Sequence, residues 1–308
     1  MDAVSASTRL PDDARGASIA LGNFDGVHLG HQAVIAAARA GARGRRVAAA
    51  VFEPHPRRFF QPDSLPFRLQ TSGQRARALA DAGVDLIIEI AFDAALSQMT
   101  DEAFAKDILV DRLGVARVAI GFDFRFGRGR MGDAAALKRL GETYGFEVEV
   151  VDAVDDGHDP EKVSSTAIRA ALQAGEMDEA ARLLGRPWAI EGAVITGMQR
   201  ARTIGFPTAN VALGDYVQPK FGVYATLTDL GDGAWLPGVS NCGVKPTITD
   251  TKEPLLETNV FDVAVDLYGR KIETRLMHFL RPEQKFDSFE ALTTQIAEDG
   301  KAARTFFA

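Results

Sequence analysis

Along the first half of the chain, short apolar and β-branched runs alternate with longer stretches in which apolar positions recur every three or four residues. The short runs fall at residues 19–21, 46–52, 86–90, 116–120 and 146–151. Each is apolar enough to be buried on both faces, as the strands of a parallel sheet are. The longer stretches, at residues 30–42, 72–82, 100–113 and 133–144, have the spacing of amphipathic helices. Thr100 precedes Asp101 and Glu102, an N-cap hydroxyl followed by two acids that favour the positive end of a helix. Strands alternating with helices predict an α/β fold with a doubly wound parallel sheet, which binds its ligands at the carboxyl ends of its strands.

After residue 160 the texture changes. Helical stretches at residues 165–173 and 178–184 are followed by Leu184-Gly185-Arg186-Pro187. From Trp188 onward, β-type runs at residues 189–196, 222–228, 236–241, 257–265 and 271–278 are broken by Gly-Asp-Gly, Gly-Arg and proline-containing turns. This pattern predicts a small antiparallel β-barrel, with a C-terminal helix over residues 288–306. A boundary near residues 185–187 gives domains 1–185 and 186–308. Residues 1–15 are polar and acidic with no apolar core segment, so a floppy leader is expected there and not a secretory signal.

A chain of 308 residues, 46% of them hydrophobic, can fill two cores. Its formal net charge of −7 argues against general affinity for nucleic acid or anionic membranes. An anionic ligand must therefore be gripped locally. The single cysteine, Cys242, rules out an internal disulfide and a cysteine zinc site, and is expected to be a small buried residue. No run approaches the ~18 apolar residues of a membrane span. The expectation is a soluble, cytoplasmic protein with small-molecule partners, its oligomeric state left open.

Five strings carry chemistry. Leu21-Gly22-Asn23-Phe24-Asp25-Gly26-Val27-His28-Leu29-Gly30-His31 joins the first strand to the first helix. Its glycines let backbone amides approach a ligand, and the positive helix end favours an anion. Two imidazoles one turn apart can donate hydrogen bonds to a phosphoryl group. Phe52-Glu53-Pro54-His55-Pro56 leaves the second strand. Gly121-Phe122-Asp123-Phe124-Arg125-Phe126-Gly127 leaves the fourth, and its interleaved aromatic and basic residues suit a flat, phosphorylated ligand. In Lys162-Val163-Ser164-Ser165-Thr166-Ala167-Ile168-Arg169, three hydroxyls at a helix start either cap the helix or bind phosphate, and Arg169 lies one turn in. Gly205-Phe206-Pro207-Thr208-Ala209-Asn210 places a hydroxyl and an amide oxygen two residues apart, a small hard-oxygen site suited to Mg²⁺.

The first string has the H-x-G-H form of nucleotidyltransferases, and the fourth looks like the I-S-S-T-x-I-R element that accompanies it. Together with the G-x-P-T-A-N-like fifth string, with Phe221-Gly222-Val223-Tyr224-Ala225 and with Leu280-Arg281-Pro282-Glu283-Gln284-Lys285-Phe286, they resemble the bacterial bifunctional riboflavin kinase/FAD synthetase family from residue 19 to residue 304. The resemblance implies a Rossmann-like nucleotidyltransferase domain followed by a riboflavin kinase barrel. The barrel would phosphorylate riboflavin with ATP, and the first domain would join the FMN phosphate to the α-phosphorus of ATP, releasing pyrophosphate, normally with Mg²⁺. It further implies that His28 and His31 hold the triphosphate in the transition state, while Ser164, Ser165, Thr166 and Arg169 hold the departing phosphates. Asn23 and Asp123 would orient the ligands, Phe24 and Phe126 would shape the pocket, and Gly22, Asp25, Gly30 and His55 would complete it. In the second half, Gly205, Pro207, Thr208, Asn210 and Arg281 would bind ligands, with Thr208 and Asn210 on the metal. Glu257 would be the general base for the riboflavin 5′-hydroxyl.

The second half departs from the family pattern at Thr196 and Asn259, where histidines are usual, at Ala201 and Val265, where glycines are, and at Val263, where phenylalanine is. A rival reading therefore keeps the adenylyltransferase and makes the barrel an impaired, flavin-binding or regulatory module. H-x-G-H alone also fits cytidylyl- and pantetheine-phosphate adenylyltransferases.

Overall fold

The computed structural model describes residues 2–154, 163–195, 208–244, 253–263 and 267–308. The chain divides into two compact units. The first comprises Met1–Ser64 and Ser72–Ser164, the second Leu65–Thr71 and Ser165–Ala308.

The first unit is built on six parallel strands, β1 (Asp2–Ser5), β2 (Ser18–Leu21), β3 (Val47–Glu53), β4 (Leu86–Ala91), β5 (Arg117–Gly121) and β6 (Glu147–Val151), in the order β1-β4-β3-β2-β5-β6. Between them lie α1 (Leu29–Ala40), α2 (Pro56–Phe60), α3 (Ser72–Asp81), α4 (Ala94–Ser97), α5 (Asp101–Ala103) and α6 (Ala134–Tyr144). Alternate residues of the sheet enter different apolar clusters. Ile19 and Leu21 pack with Phe52, Ile88 and Ile108, whereas Ala20 packs with Val34, Ile35, Val51 and Leu79. Burial on both faces is why these strands read as unbroken apolar runs. The chain proceeds from β2 to β3 and β4 on one side, and β5 then pairs with the other edge of β2. The order thus reverses beside β2, and the carboxyl ends of β2 and β5 frame the crevice where such sheets bind ligands.

Two expectations for this unit need correction. The N-terminal residues are not a floppy leader: β1 pairs in parallel with β4, Ala3 opposite Ile87, and Ala6, Leu10 and Ala14 are buried. A strand of four residues shows no alternation of its own, and the free edge of β4 supplies its partners. The expected helix over residues 100–113 begins as predicted, with the Thr100 hydroxyl accepting from the Ala103 amide, but it widens into a π-type helix over Phe104–Leu113.

In the second unit, β7 (Ala189–Ala193), β8 (Ala209–Ala212), β9 (Gly222–Asp229), β10 (Trp235–Val244), β11 (Pro254–Val260) and β12 (Lys271–Pro282) form an antiparallel sheet in the order β7-β12-β9-β10-β11-β8. A bridge between Ile195 and Asn210 joins the two ends, making the expected barrel. Its interior holds hydroxyls that satisfy one another, Thr226 with Ser240, Ser240 with Thr258, and Thr228 with Thr274. Cys242 is buried as expected, and desolvation pushes its thiol up to about 12. The C-terminal helix α9 (Phe289–Phe306) is capped by the Ser288 hydroxyl.

Helices α7 (Ser165–Ala174) and α8 (Met177–Leu184) belong to this second unit, so the spatial division falls at Ser164/Ser165, ahead of residues 185–187. The change from helix to strand in the sequence marks a change of local structure. What fixes the packing is the apolar face of α8, where Met177, Ala180, Leu183 and Leu184 are buried. The segment Leu65–Thr71 is equally part of this unit. Its Arg68 amide donates to the Asp215 carbonyl, its Arg68 carbonyl accepts from the Val217 amide, and its Leu69 carbonyl accepts from the Trp188 indole at 2.7 Å. Trp188→Phe keeps most of the apolar volume and leaves the Leu69 carbonyl without that donor, a change that typically costs about 1–3 kcal/mol. In calorimetric unfolding of the full chain, the transition of the second unit is expected to move to lower temperature.

Candidate active sites

The turn from β2 into α1 is bent into conformations that side chains disfavour. Phe24 has φ +51°, Gly26 +96° and Val27 +43°, and a β-branched residue in the left-handed region is a genuine outlier. Phe24 and Val27 are both buried, and Gln32 Nε2 donates to the Val27 carbonyl at 2.9 Å. Burial thus holds a strain of the order of 1–3 kcal/mol per residue. The turn delivers His28 as the N-cap of α1, its Nδ1 accepting the His31 amide at 3.3 Å, so the neutral ring carries its proton on Nε2. The His28 and His31 rings stack at 3.6 Å, and Phe24 lies 5.1 Å from His31. A Cβ at Gly30 would lie 3.2 Å from the His28 ring and 3.6 Å from the Val163 carbonyl. Two strings from opposite ends of the unit therefore meet at the start of α1. Asn23 Oδ1 is buried and finds no hydrogen-bond donor among the described residues, and Asp25 is also buried. A buried acceptor left without a protein donor is able to accept from a ligand or a water.

The other expected residues of this unit spread along the same edge of the sheet. Asp123 follows β5 and is exposed; a Cβ at Gly121 would lie 3.2 Å from its Oδ1. Phe126 is buried and belongs to an aromatic chain: Phe124 to Phe126 at 5.8 Å, Phe126 to Phe104 at 5.6 Å, Phe104 to Phe52 at 6.2 Å and Phe52 to Phe92 at 5.9 Å. Phe92 then meets Phe59 and Phe60 edge-on, and Phe60 is 61% exposed. The sequence reading missed this chain. Phe59-Phe60 was visible two residues after the Pro54-His55-Pro56 string, but nothing in the spacing joins it to Phe92 or Phe104. His55 acts as the N-cap of α2, its Nδ1 accepting the Arg57 amide at 3.1 Å.

Ser164 ends the first unit, and Ser165 and Thr166 open α7 in the second. Arg169 donates from Nε to the Phe67 carbonyl at 2.7 Å and lies over the Phe67 ring, so part of its fork is engaged within the second unit.

On the barrel, Glu257 of β11 stands directly opposite Asn210 of β8 on one side and Asn241 of β10 on the other. Directly opposed residues share a face, so a carboxylate is flanked by two amides. Leu256 and Thr258, its chain neighbours, point into the barrel and are fully buried, which puts the row on the outer face. Thr208 immediately precedes β8. Two residues further along β11, Asn259 sits opposite Val239, and both line an open groove of about 880 Å³ with Phe261, Ile296, Gly300 and Arg304. Asp262 and Arg304 join in a bidentate pair at the groove, and the guanidinium lowers the carboxyl pKa of Asp262. Arg281 is forked onto Asp299 of α9 at 2.6 and 2.7 Å. Lys162, Thr196, Ala201, Gly205, Pro207 and Val265 lie outside the described residues. No group of three histidine, cysteine or acidic side chains able to hold a metal occurs among the described residues.

The FAD synthetase family pattern matches residues 10–167, and the riboflavin kinase pattern matches residues 184–307. The chain is 42% identical over 295 residues to a bifunctional riboflavin kinase/FMN adenylyltransferase of Escherichia coli K12, covering 95% of this chain and 93% of that one. It is also 42% identical to the bifunctional riboflavin kinase/FMN adenylyltransferase of Pseudomonas fluorescens, over 100% of this chain and 98% of the other. A crystal structure of a Streptococcus pneumoniae protein described as a macrolide-efflux protein superposes with a TM-score of 0.85 at 28% identity, over 99% of both chains. No helix among the described residues is long and apolar enough to cross a membrane.

Because a Cβ at Gly30 would lie 3.2 Å from the His28 ring, Gly30→Ala must push that ring aside by a few tenths of an ångström. Weaker binding of a nucleoside triphosphate by about tenfold, roughly 1.4 kcal/mol, is expected in titration calorimetry. The melting temperature should change little.

Proposed function

Because the chain belongs to the bifunctional riboflavin kinase/FMN adenylyltransferase family and carries both activities, we propose that FMN is adenylylated at the β2–α1 turn and riboflavin phosphorylated at the outer row of the barrel. The observation that carries the first assignment is the approach of Val163 to Gly30, which brings a serine-bearing string against the amides and imidazoles at the start of α1. The FMN phosphate oxygen attacks the α-phosphorus of ATP, and the bond to pyrophosphate breaks. Little covalent work falls to the protein, so positioning and charge stabilisation carry the reaction. His28 and His31 donate to the triphosphate as charge builds on it. Ser164 lies next to Val163 and is placed to donate to the departing phosphates. Asn23 offers its buried amide oxygen as an acceptor, Asp123 orients the ligand at the end of β5, and the aromatic chain from Phe126 to Phe60 gives the flat flavin ring an apolar wall.

On the barrel, Glu257 takes the proton of the riboflavin 5′-hydroxyl as that oxygen attacks the γ-phosphorus of ATP. Asn210 and Asn241 flank the carboxylate, and the open groove of about 880 Å³ beginning at Asn259 on the same face is the proposed place for the ring system attached to that hydroxyl. The hydroxyl of Thr208 and the amide oxygen of Asn210 are hard donors that fit Mg²⁺. When bound there, the ion would neutralise phosphate charge. The intact Asn210–Glu257–Asn241 row supports a working kinase over a purely regulatory barrel. We place both reactions in the cytoplasm, a reducing compartment in keeping with the free thiol of Cys242.

His31→Ala should lower FAD formation from FMN by on the order of 10²–10³, while FMN formation from riboflavin stays at the wild-type rate. Both are read by chromatography of flavins made by the full chain, and a wild-type FAD rate would remove His31 from the mechanism. Glu257→Gln should do the reverse. Loss of a general base commonly costs about 10²–10⁴, so riboflavin phosphorylation falls by that factor while supplied FMN is still adenylylated.

A further inference from the structure

Behind the aromatic edge of the first unit lies a buried charge that neither reaction uses. Arg75 of α3 is 3% exposed, its Nη2 3.1 Å from Glu53 Oε2 and 4.0 Å from a Glu89 oxygen. A guanidinium taken out of water is costly unless it is paired and hydrogen-bonded, and a well-packed apolar pair is often as stable. Stability alone therefore gives no reason for an ion pair here. Its location does. Glu53 is the last residue of β3, and its carbonyl accepts the Phe92 amide at 3.0 Å. The residue before it, Phe52, and the residues of α2 that follow, Phe59 and Phe60, all touch Phe92 in the aromatic chain. The position of Glu53 thus sets where β3 stops and where α2 begins, and with it the spacing of the rings on either side. A planar, pre-organised guanidinium holds a carboxylate in a fixed direction better than a flexible ammonium or an apolar contact.

We propose that Arg75 is a positioning residue for FMN adenylylation, acting through Glu53 to hold Phe52, Phe59 and Phe60 in the spacing that receives the flavin ring. The proposal rests on the reading of the aromatic chain as the flavin side of the site. On that reading the ATP phosphates are received at the start of α1, which follows the neighbouring strand β2, so Arg75 bears on the affinity for FMN and not on that for ATP.

The test uses the full-length protein with Arg75→Met, Arg75→Lys and Glu53→Gln, with His28→Ala alongside. FAD formation is measured with FMN varied at saturating ATP and with ATP varied at saturating FMN, circular dichroism and calorimetric unfolding report an intact first unit, and riboflavin phosphorylation by the same chain reports an intact second one. Arg75→Met is expected to raise KM for FMN about tenfold, a partial form of the ~10² that an ångström of misplacement can cost. KM for ATP and the kinase rate should stay at wild-type values, and Arg75→Lys should recover most of the loss. Wild-type KM for FMN in Arg75→Met, an equal rise in both KM values, or no recovery in Arg75→Lys would overturn the proposal. If Arg75→Met does not fold, Glu53→Gln decides: a selective rise in KM for FMN supports the proposal and an unchanged value overturns it. When the Arg75 variants behave as wild type and His28→Ala is inactive, the positioning role fails alone. Activity retained in His28→Ala would overturn the reading of the site itself, and the proposal with it.

Discussion

The nucleotidyltransferase half depends on a backbone held against its own preference. Between β2 and α1 the chain must leave the sheet, turn sharply and present the amide end of a helix to the crevice beside β5. It does so with two side chains, Phe24 and Val27, in the left-handed region, where glycine would be at ease. Burial of the same two side chains offsets that strain, so the apolar cluster and the strained turn stabilise each other. With the turn fixed, His28 falls at the N-cap, His31 stacks upon it, Gly30 leaves room for the His28 ring, and the chain at Val163 comes close. Release of the turn would loosen all of these together.

The barrel reaches its geometry by a different route. Antiparallel register alone lines up Asn210, Glu257 and Asn241, because directly opposed residues on neighbouring strands share a face. The alternate residues of the same strands, Ser240 and Thr258, hydrogen-bond to each other inside the barrel. A slip of one residue would bury the carboxylate and expose the hydroxyls, so the inner network guards the outer row.

Much of this was legible in the sequence. The apolar runs located the parallel strands to within a residue or two, because strands buried on both faces leave a strong signal. The string around His28 and His31 pointed to the β2–α1 turn, where the first site is proposed, since phosphate binding demands glycines and donors at a strand-to-helix turn. What stayed hidden was long-range. Four residues at β1 carry no pattern of their own, and β8 was read only as part of a binding string. The aromatic chain draws on Phe52, Phe92, Phe104 and Phe126, which share no local spacing. Arg281 was read as a ligand-binding residue because its neighbours matched a family string; its ion pair with Asp299 in α9 had no signal in that string. Residue type and position suggested a charge at that place but not its partner 18 residues along the chain.

The segment Leu65–Thr71 gives the chain an order of assembly. It leaves the ribosome within the stretch that builds the first unit, yet the indole that grips Leu69 comes 119 residues later. Closing a loop of that size costs only slightly more entropy than closing one half as long, but it delays the contact until the later residues exist. The second unit therefore completes itself around a strand of chain made long before it. No single cut between the two reactions leaves each with all of its own residues: wherever the break is made after residue 71, the seven residues of the strap depart with the other half.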